Sequence, residues 1–168
     1  MSESILAEIT PSPPRRFVGL GILWVLAAIL IGLAIKHETE AGTSLFLVGF
    51  AAFTMFWAEA VRRATRTHLY LTEEHLRDSR GRVLARFEDM VKVDRGTFAF
   101  KPSNGFVLVL SVKPPAIWAP GLYWRLGRRI GVGGVTSAAQ TKTMAEIIAF
   151  RIAQREMDAA AKREAEEG

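Results

Sequence analysis

Phe17-Val18-Gly19-Leu20-Gly21-Ile22-Leu23-Trp24-Val25-Leu26-Ala27-Ala28-Ile29-Leu30-Ile31-Gly32-Leu33-Ala34-Ile35 decides how this chain is read. A second run, Gly42-Thr43-Ser44-Leu45-Phe46-Leu47-Val48-Gly49-Phe50-Ala51-Ala52-Phe53-Thr54-Met55-Phe56-Trp57-Ala58, follows one short charged turn. The two hold no charged residue over nineteen and seventeen positions respectively. A bilayer's hydrocarbon core is about 30 Å thick, so a spanning helix needs roughly 20 mostly apolar residues. The first run meets that length and the second nearly does. The first is too long for the apolar region of a cleaved signal and lacks a small-residue cleavage pattern. A transmembrane helical hairpin is expected, with everything from Arg62 onward on one side.

The flanks orient it. Arg15 and Arg16 precede the first run, Arg62, Arg63 and Arg66 follow the second, and the connecting turn holds one Lys, one His and two Glu. Basic residues in short flanks stay on the cytoplasmic side, so both termini are expected there. Trp57 sits where an indole anchors at the interface. Glu59 reads as a headgroup-level carboxylate beside Arg62 or Arg63. An intramembrane proton site is the weaker reading, because Thr54 is the only polar residue near mid-depth and makes no conduction path. Ala28-xxx-Gly32, with Gly49, Ala51 and Ala52, offers small-residue faces for packing the two helices together, or for homodimerisation.

The concentration of apolar residues in two blocks, rather than the 49% total, points to the membrane. About a hundred residues remain, enough for one small domain with its own core. The chain has no cysteine, which excludes disulfides, thiolate nucleophiles and cysteine metal sites. From Arg62 onward 19 Lys and Arg stand against 12 Asp and Glu. Such an excess suits anions, and beside a bilayer lipid headgroups are nearer than nucleic acid.

Beyond Arg62 the period changes from helix to strand. Thr67-His68-Leu69-Tyr70-Leu71-Thr72, His75-Leu76-Arg77-Asp78 and Val83-Leu84-Ala85-Arg86-Phe87 are short strands with turn residues between them. Residues 88–93 read as a helical turn or another strand. Thr97-Phe98-Ala99-Phe100 alternates, and Phe106-Val107-Leu108-Val109-Leu110-Ser111-Val112 has the continuous apolar character of a strand buried on both faces. Residues 113–129 read as a long loop interleaving aromatics and bases: Trp118, Tyr123, Trp124, Arg125, Arg128 and Arg129. Residues 130–135 are a final strand whose glycines permit close backbone approach. Residues 141–166 form a helix with Met144, Ile147, Ile148 and Ile152 on one stripe.

The expected fold is an α+β membrane protein: a two-helix transmembrane hairpin plus a small antiparallel β-barrel or sandwich with a C-terminal helix. Residues 1–16 form a cytoplasmic tail, 17–61 the hairpin, 62–155 the strand-rich domain with its helix, and 156–168 a polar helical tail. Two spans leading into Thr67-His68-Leu69-Tyr70-Leu71-Thr72 resemble the bacterial PH-like membrane proteins. The stretches Leu76-Arg77-Asp78-Ser79-Arg80-Gly81-Arg82-Val83 and Phe87-Glu88-Asp89-Met90, and the segment from Trp118-Ala119-Pro120-Gly121 through Gly134, are similar to that family. The resemblance implies a PH-like domain in a bacterial inner membrane and no assigned chemistry.

The residues carry no catalytic constellation either. Gly131-Val132-Gly133-Gly134 lacks the strand-to-helix context of a phosphate loop, and Lys142-Thr143 follows too late. His37, His68 and His75 make no metal-ligand spacing, and the last two read either as opposed across a hairpin or as surface imidazoles. Ser79, Ser103, Ser111 and Ser137 have no nucleophile elbow. An enzyme is not expected, and no cofactor is implied. The segment from Trp118 to Arg129 is the candidate site. Rings of Trp118, Tyr123 and Trp124 insert at the interface while Arg125, Arg128 and Arg129 hold phosphates, or the tryptophans pack on the domain as a lid. The expected partners are membrane lipids, with a protein partner or homo-oligomer as the alternative and no nucleic acid. The competing function is an accessory or assembly subunit of a larger membrane complex.

Overall fold

The computed structural model of the chain describes residues 4–36, 40–94 and 102–167. The strand expected at residues 97–100, and His37 in the turn between the spans, lie outside the described residues. α1 (Pro13–Lys36) opens on two prolines, which suit a first helical turn because their missing N–H groups would have no intrahelical partner. The Arg16 N–H closes that turn onto the Ser12 carbonyl at 3.1 Å. α2 (Ala41–Ala64) matches α1 at 24 residues, and both are long and apolar enough to cross a membrane.

Leu20, Ala27 and Leu30 on α1 and Ala51, Thr54 and Ala58 on α2 are buried, each set falling on one helical stripe. Of the expected small-residue faces, only Ala51 lies in the seam. Ala28, Gly32 and Gly49 are exposed, and a Cβ added at either glycine would meet nothing within 4 Å. The Thr54 hydroxyl donates to the Phe50 carbonyl at 2.8 Å, which satisfies it within its own helix. Glu59 takes Arg62 Nε at 2.6 Å and Arg63 Nε at 2.6 Å, the pairing expected for a carboxylate at a charged helix end.

The strands form two open antiparallel sheets. The first, in order β1-β2-β3-β4, contains β1 (Ile5–Ile9), β2 (Leu69–Thr72), β3 (His75–Asp78) and β4 (Val83–Arg86). β1 lies in the stretch read from the sequence as a tail; it pairs with β2 across the whole length of the helical hairpin, Ile9 opposite Leu69. The β3–β4 turn is set by Asp78, whose Oδ1 accepts the Arg80 and Arg82 N–H groups at 2.9 Å each. Gly81 supplies the positive φ of 79° that this turn requires.

A 3₁₀ turn, Phe87–Asp89, leads into the second sheet, so both readings of residues 88–93 apply, one after the other. Its order is β5-β6-β9-β8-β7, from β5 (Met90–Asp94), β6 (Phe106–Leu110), β7 (Ile117–Ala119), β8 (Tyr123–Leu126) and β9 (Arg129–Val132). β6 is buried on both faces, Val107 and Leu108 alike, as its sequence implied. Neither sheet closes on itself, so the barrel alternative gives way to two open sheets. One apolar cluster joins them: Leu69, Leu71, Leu76 and Leu84 from the first, Phe106, Leu108, Ile130 and Val132 from the second. α3 (Ala138–Glu167) adds Met144, Ile148 and Ile152 from the expected stripe. Arg155 fixes α3 to the sheet corner by donating to the Phe87, Glu88 and Met90 carbonyls at 2.6 to 3.0 Å.

Candidate functional site

The segment from Lys113 to Arg129, expected as a long loop, is mostly a hairpin. Ala119-Pro120-Gly121-Leu122 is its turn: proline precedes a glycine at φ 80°, and the Leu122 N–H returns to the Ala119 carbonyl at 3.0 Å. That is a type II turn, which asks for proline then glycine. It sets Trp118 opposite Trp124, Ile117 opposite Arg125 and Ala119 opposite Tyr123. Alternation then divides the candidate residues between the two faces of the sheet.

Trp118, Trp124 and Leu126 share the outer face. Trp118 is 60% exposed and Leu126 69% exposed, while Trp124 is half-buried because its indole lies over Gly131 of β9. A Cβ at Gly131 would overlap that ring, which is why this position of the strand is glycine. Close approach by the glycines is thus realised, here and where Gly134 meets the Gly121 backbone. Ala116, Ile117, Trp118, Trp124, Arg125 and Leu126 line an apolar groove of about 320 Å³.

Tyr123 and Arg125 are on the inner face and do not belong with the exposed set. Tyr123 is buried and donates its hydroxyl to Asp78 Oδ2 at 2.9 Å. Burial, then the Asp78 carboxylate, pushes its hydroxyl up to about 12. Arg125 is only 8% exposed. Its Nε donates to the Pro115 carbonyl at 2.9 Å and its Nη1 to the Val83 and Leu84 carbonyls at 3.2 and 2.7 Å. It binds β8 to β4, joining the two sheets, and burial lowers its pKa. This corrects the expectation that Tyr123 and Arg125 present themselves to a ligand. Arg128, in the β8–β9 turn, and Arg129, opposite Leu126 on β9, are exposed, whereas Arg125 faces inward. The structure therefore does not bring the three arginines together.

The end of the hairpin nearer the helices carries more. Trp118 meets Trp57 of α2 with ring centroids 5.1 Å apart. Trp57 ends a column of rings, Phe46, Phe50, Phe53 and Trp57, spaced by 6.1 to 6.3 Å along one face of α2. Between the last turn of α2 and the β3–β4 turn lies a cavity of about 220 Å³, with Arg63, Arg80, Arg82, Thr67, Trp118 and Tyr123 in its wall. Sequence reasoning missed Arg63, Arg80 and Arg82 as a group because they are separated by the β2–β3 hairpin. The available signal was two basic clusters, Arg62-Arg63 and Arg80-Gly81-Arg82, with exactly one strand pair between them.

Among the described residues no three His, Asp or Glu stand close enough to hold a metal ion. His68 and His75 lie at opposite ends of the β2–β3 hairpin rather than face to face, since Leu69 pairs with Asp78 and Leu71 with Leu76. His68 Nδ1 is 3.0 Å from Glu8 Oε1 on β1. A larger depression, of about 590 Å³, runs past Glu74, Arg86 and Glu88, but Arg86 already faces Glu88 at 3.4 Å and no single sign of charge prevails. Comparison with family models, curated proteins and solved structures found no match for the chain.

Proposed function

We propose that this chain is a non-enzymatic inner-membrane protein whose hairpin spans the bilayer with both termini cytoplasmic, and whose strand-rich, PH-like domain binds anionic lipid headgroups. One observation carries the reading. The Trp57–Trp118 contact sets the exposed face of the β7–β8 hairpin at the charged end of a helix apolar enough to cross a membrane. An indole favours that depth, and each nearby base contributes about 1 kcal/mol toward an anionic surface. The exposed apolar surface of α1 and α2 supports insertion: Phe17, Ile22, Leu45, Phe46, Phe53 and Phe56 are all open. The test is native mass spectrometry of the full-length protein in detergent micelles with phosphatidylglycerol or phosphatidylcholine added. Retention of the anionic lipid in preference to the zwitterionic one is expected, and equal retention at low salt would refute the reading.

The second reading, an accessory subunit of a larger complex, has its own support. Phe150 and Met157 are 68% and 62% exposed on α3, two turns apart and so on one stripe of the helix. Native electrophoresis after gentle extraction separates the two: migration only as a monomer or homo-oligomer counts against a complex.

A further inference from the structure

The cavity between α2 and the β3–β4 turn gathers three arginines, one aspartate and a tryptophan at the charged end of α2. Arg63, Arg80 and Arg82 line a space of about 220 Å³, with Trp118 also in its wall. Its only acidic lining residue is Asp78, and that carboxylate is already occupied. Oδ1 takes the Arg80 and Arg82 N–H groups and Oδ2 takes the Tyr123 hydroxyl. Asp78 therefore shapes the turn that carries the two arginines, and a net positive charge is left in the cavity.

The arginines are also held in different degrees. Arg63 gives its Nε to Glu59, and Arg80 reaches across the seam to donate Nη2 to the Arg63 carbonyl at 2.9 Å. Arg82 makes no side-chain hydrogen bond or ion pair with another described residue, and its side chain is exposed. Fork-shaped donors of this kind match the oxygens of a phosphate, and a phosphate answers more than one of them at once. The size agrees: the space is smaller than the pockets of about 300 Å³ and more that enclose drug-sized ligands, yet several times the roughly 30 Å³ share of one water.

Depth completes the case. The uncharged run of α2 ends at Ala58 and Arg63 follows five residues later, about 7 to 8 Å further along the helix. The headgroup layer on each side of a bilayer is about 5 to 8 Å thick. Resting on the proposal that the hairpin spans a membrane and the domain binds anionic lipid, we infer that this cavity is the site, and that it takes a headgroup phosphate from the leaflet on the domain's side. Arg80 and Arg82 hold the phosphate, Arg63 completes the charge, and Trp118 covers the part of the lipid nearest the glycerol.

The test uses the full-length protein in detergent micelles and native mass spectrometry with four probes: phosphatidic acid, phosphatidylglycerol, phosphatidylcholine and inorganic phosphate. The wild type is expected to retain one phosphatidic acid or phosphatidylglycerol. The double variant Arg80→Gln/Arg82→Gln, which keeps the backbone N–H groups that Asp78 needs, should lose at least tenfold in affinity. Arg128→Gln/Arg129→Gln should change it less than twofold, and circular dichroism of both variants should match the wild type. If the anionic lipids are retained equally by wild type and Arg80→Gln/Arg82→Gln, the cavity is not the site although the lipid reading survives. If neither anionic lipid is preferred over phosphatidylcholine, the lipid reading itself falls. Inorganic phosphate bound alone, and lost in Arg80→Gln/Arg82→Gln, would overturn the lipid source and leave a soluble phosphate compound as ligand. Charge reversal, Arg82→Glu, gives an independent check, because it should abolish retention without touching any bond that holds the fold.

Discussion

Replacing Arg125 tests the inner face of the hairpin most directly. Two opposed contributions decide the outcome. Burying a guanidinium without a carboxylate beside it is unfavourable, so a well-packed apolar residue of similar length would relieve that term. Against this, three carbonyls, of Pro115, Val83 and Leu84, each take an N–H from Arg125, and the Arg125 side chain is largely out of solvent. A bond from a charged donor contributes about 1.5 to 3 kcal/mol, and an acceptor left unsatisfied in the interior costs about 1 to 3 kcal/mol. Three such acceptors outweigh the relief, so Arg125→Met should lose about 2 to 4 kcal/mol, a large part of the 5 to 15 kcal/mol available to a typical domain. Arg125→Lys should lose nearly as much, since a compact ammonium cannot reach three separated acceptors in two directions. Guanidinium unfolding of the full-length protein in micelles, followed by tryptophan emission and circular dichroism, measures this. A midpoint for Arg125→Met within about 0.5 kcal/mol of wild type would mean that desolvation outweighs bridging, and the account of Arg125 as the tie between β8 and β4 would be wrong. The lipid affinity of the folded fraction should be unchanged in either variant.

Three further perturbations follow. Tyr123→Phe should remove a pH-dependent share of stability: the folded hydroxyl holds its proton to about 12, against about 10 when unfolded. The wild type's advantage is therefore complete below about pH 10 and lost as pH rises toward 12, at up to about 1.4 kcal/mol per pH unit; a difference between the two proteins that stays constant from pH 8 to 11.5 would contradict this. Gly131→Ala should cost about 1 to 3 kcal/mol by overpacking and shift tryptophan emission, because the added Cβ displaces the Trp124 indole; the shift should vanish in a Trp124→Phe background. Ile9→Ala should destabilise the domain by about 2 to 4 kcal/mol, since Ile9 is wholly buried opposite Leu69, whereas a detached tail would give no change in the thermal midpoint.

What the sequence made legible follows from how local each signal is. The helices were readable because nineteen uncharged residues have few other solutions. β2, β3 and β4 were readable because their alternation is bounded by two-residue and glycine turns. β1 was not, although Ile5-Leu6-Ala7-Glu8-Ile9 before Pro11 has strand composition. Its partner lies sixty residues away, on the other side of the whole hairpin. β7 and β8 carried a clear type II turn signal in Pro120-Gly121, hidden within a segment whose Pro114-Pro115 and arginines suggest a loop. Arg125 shows why the site was misassigned: on β8 it faces inward while Leu126 faces out. That inverts the usual alternation, because the free carbonyls of β4 meet the guanidinium where an apolar side chain would leave them bare.

The placement of β1 changes what the helical hairpin is. It is an insertion into the domain, with a bonded junction at each end, and not an anchor on a linker. The chain leaves through Pro11, bridged to Thr136, and Ser12, whose N–H donates to the Val135 carbonyl at 2.7 Å. Arg15 reinforces this exit by donating to the Thr136 carbonyl at 3.2 Å. It returns through Arg63, whose carbonyl is held by Arg80. The two junctions are themselves connected, because the Val135 N–H donates to the Gly121 carbonyl at 3.0 Å and Gly121 lies beside Val61 of α2 and Thr65 just after it. A flexible linker of even ten residues would let a domain wander by roughly 15 to 20 Å. Here only three residues separate β1 from α1 and four separate α2 from β2, most of them hydrogen-bonded or bridged, so the β7–β8 face and the arginine cavity are tied closely to α1 and α2. On the proposed lipid reading, a surface held that way would meet the headgroup layer in one orientation, and the three arginines would then select a phosphate at one depth instead of sampling the whole interface.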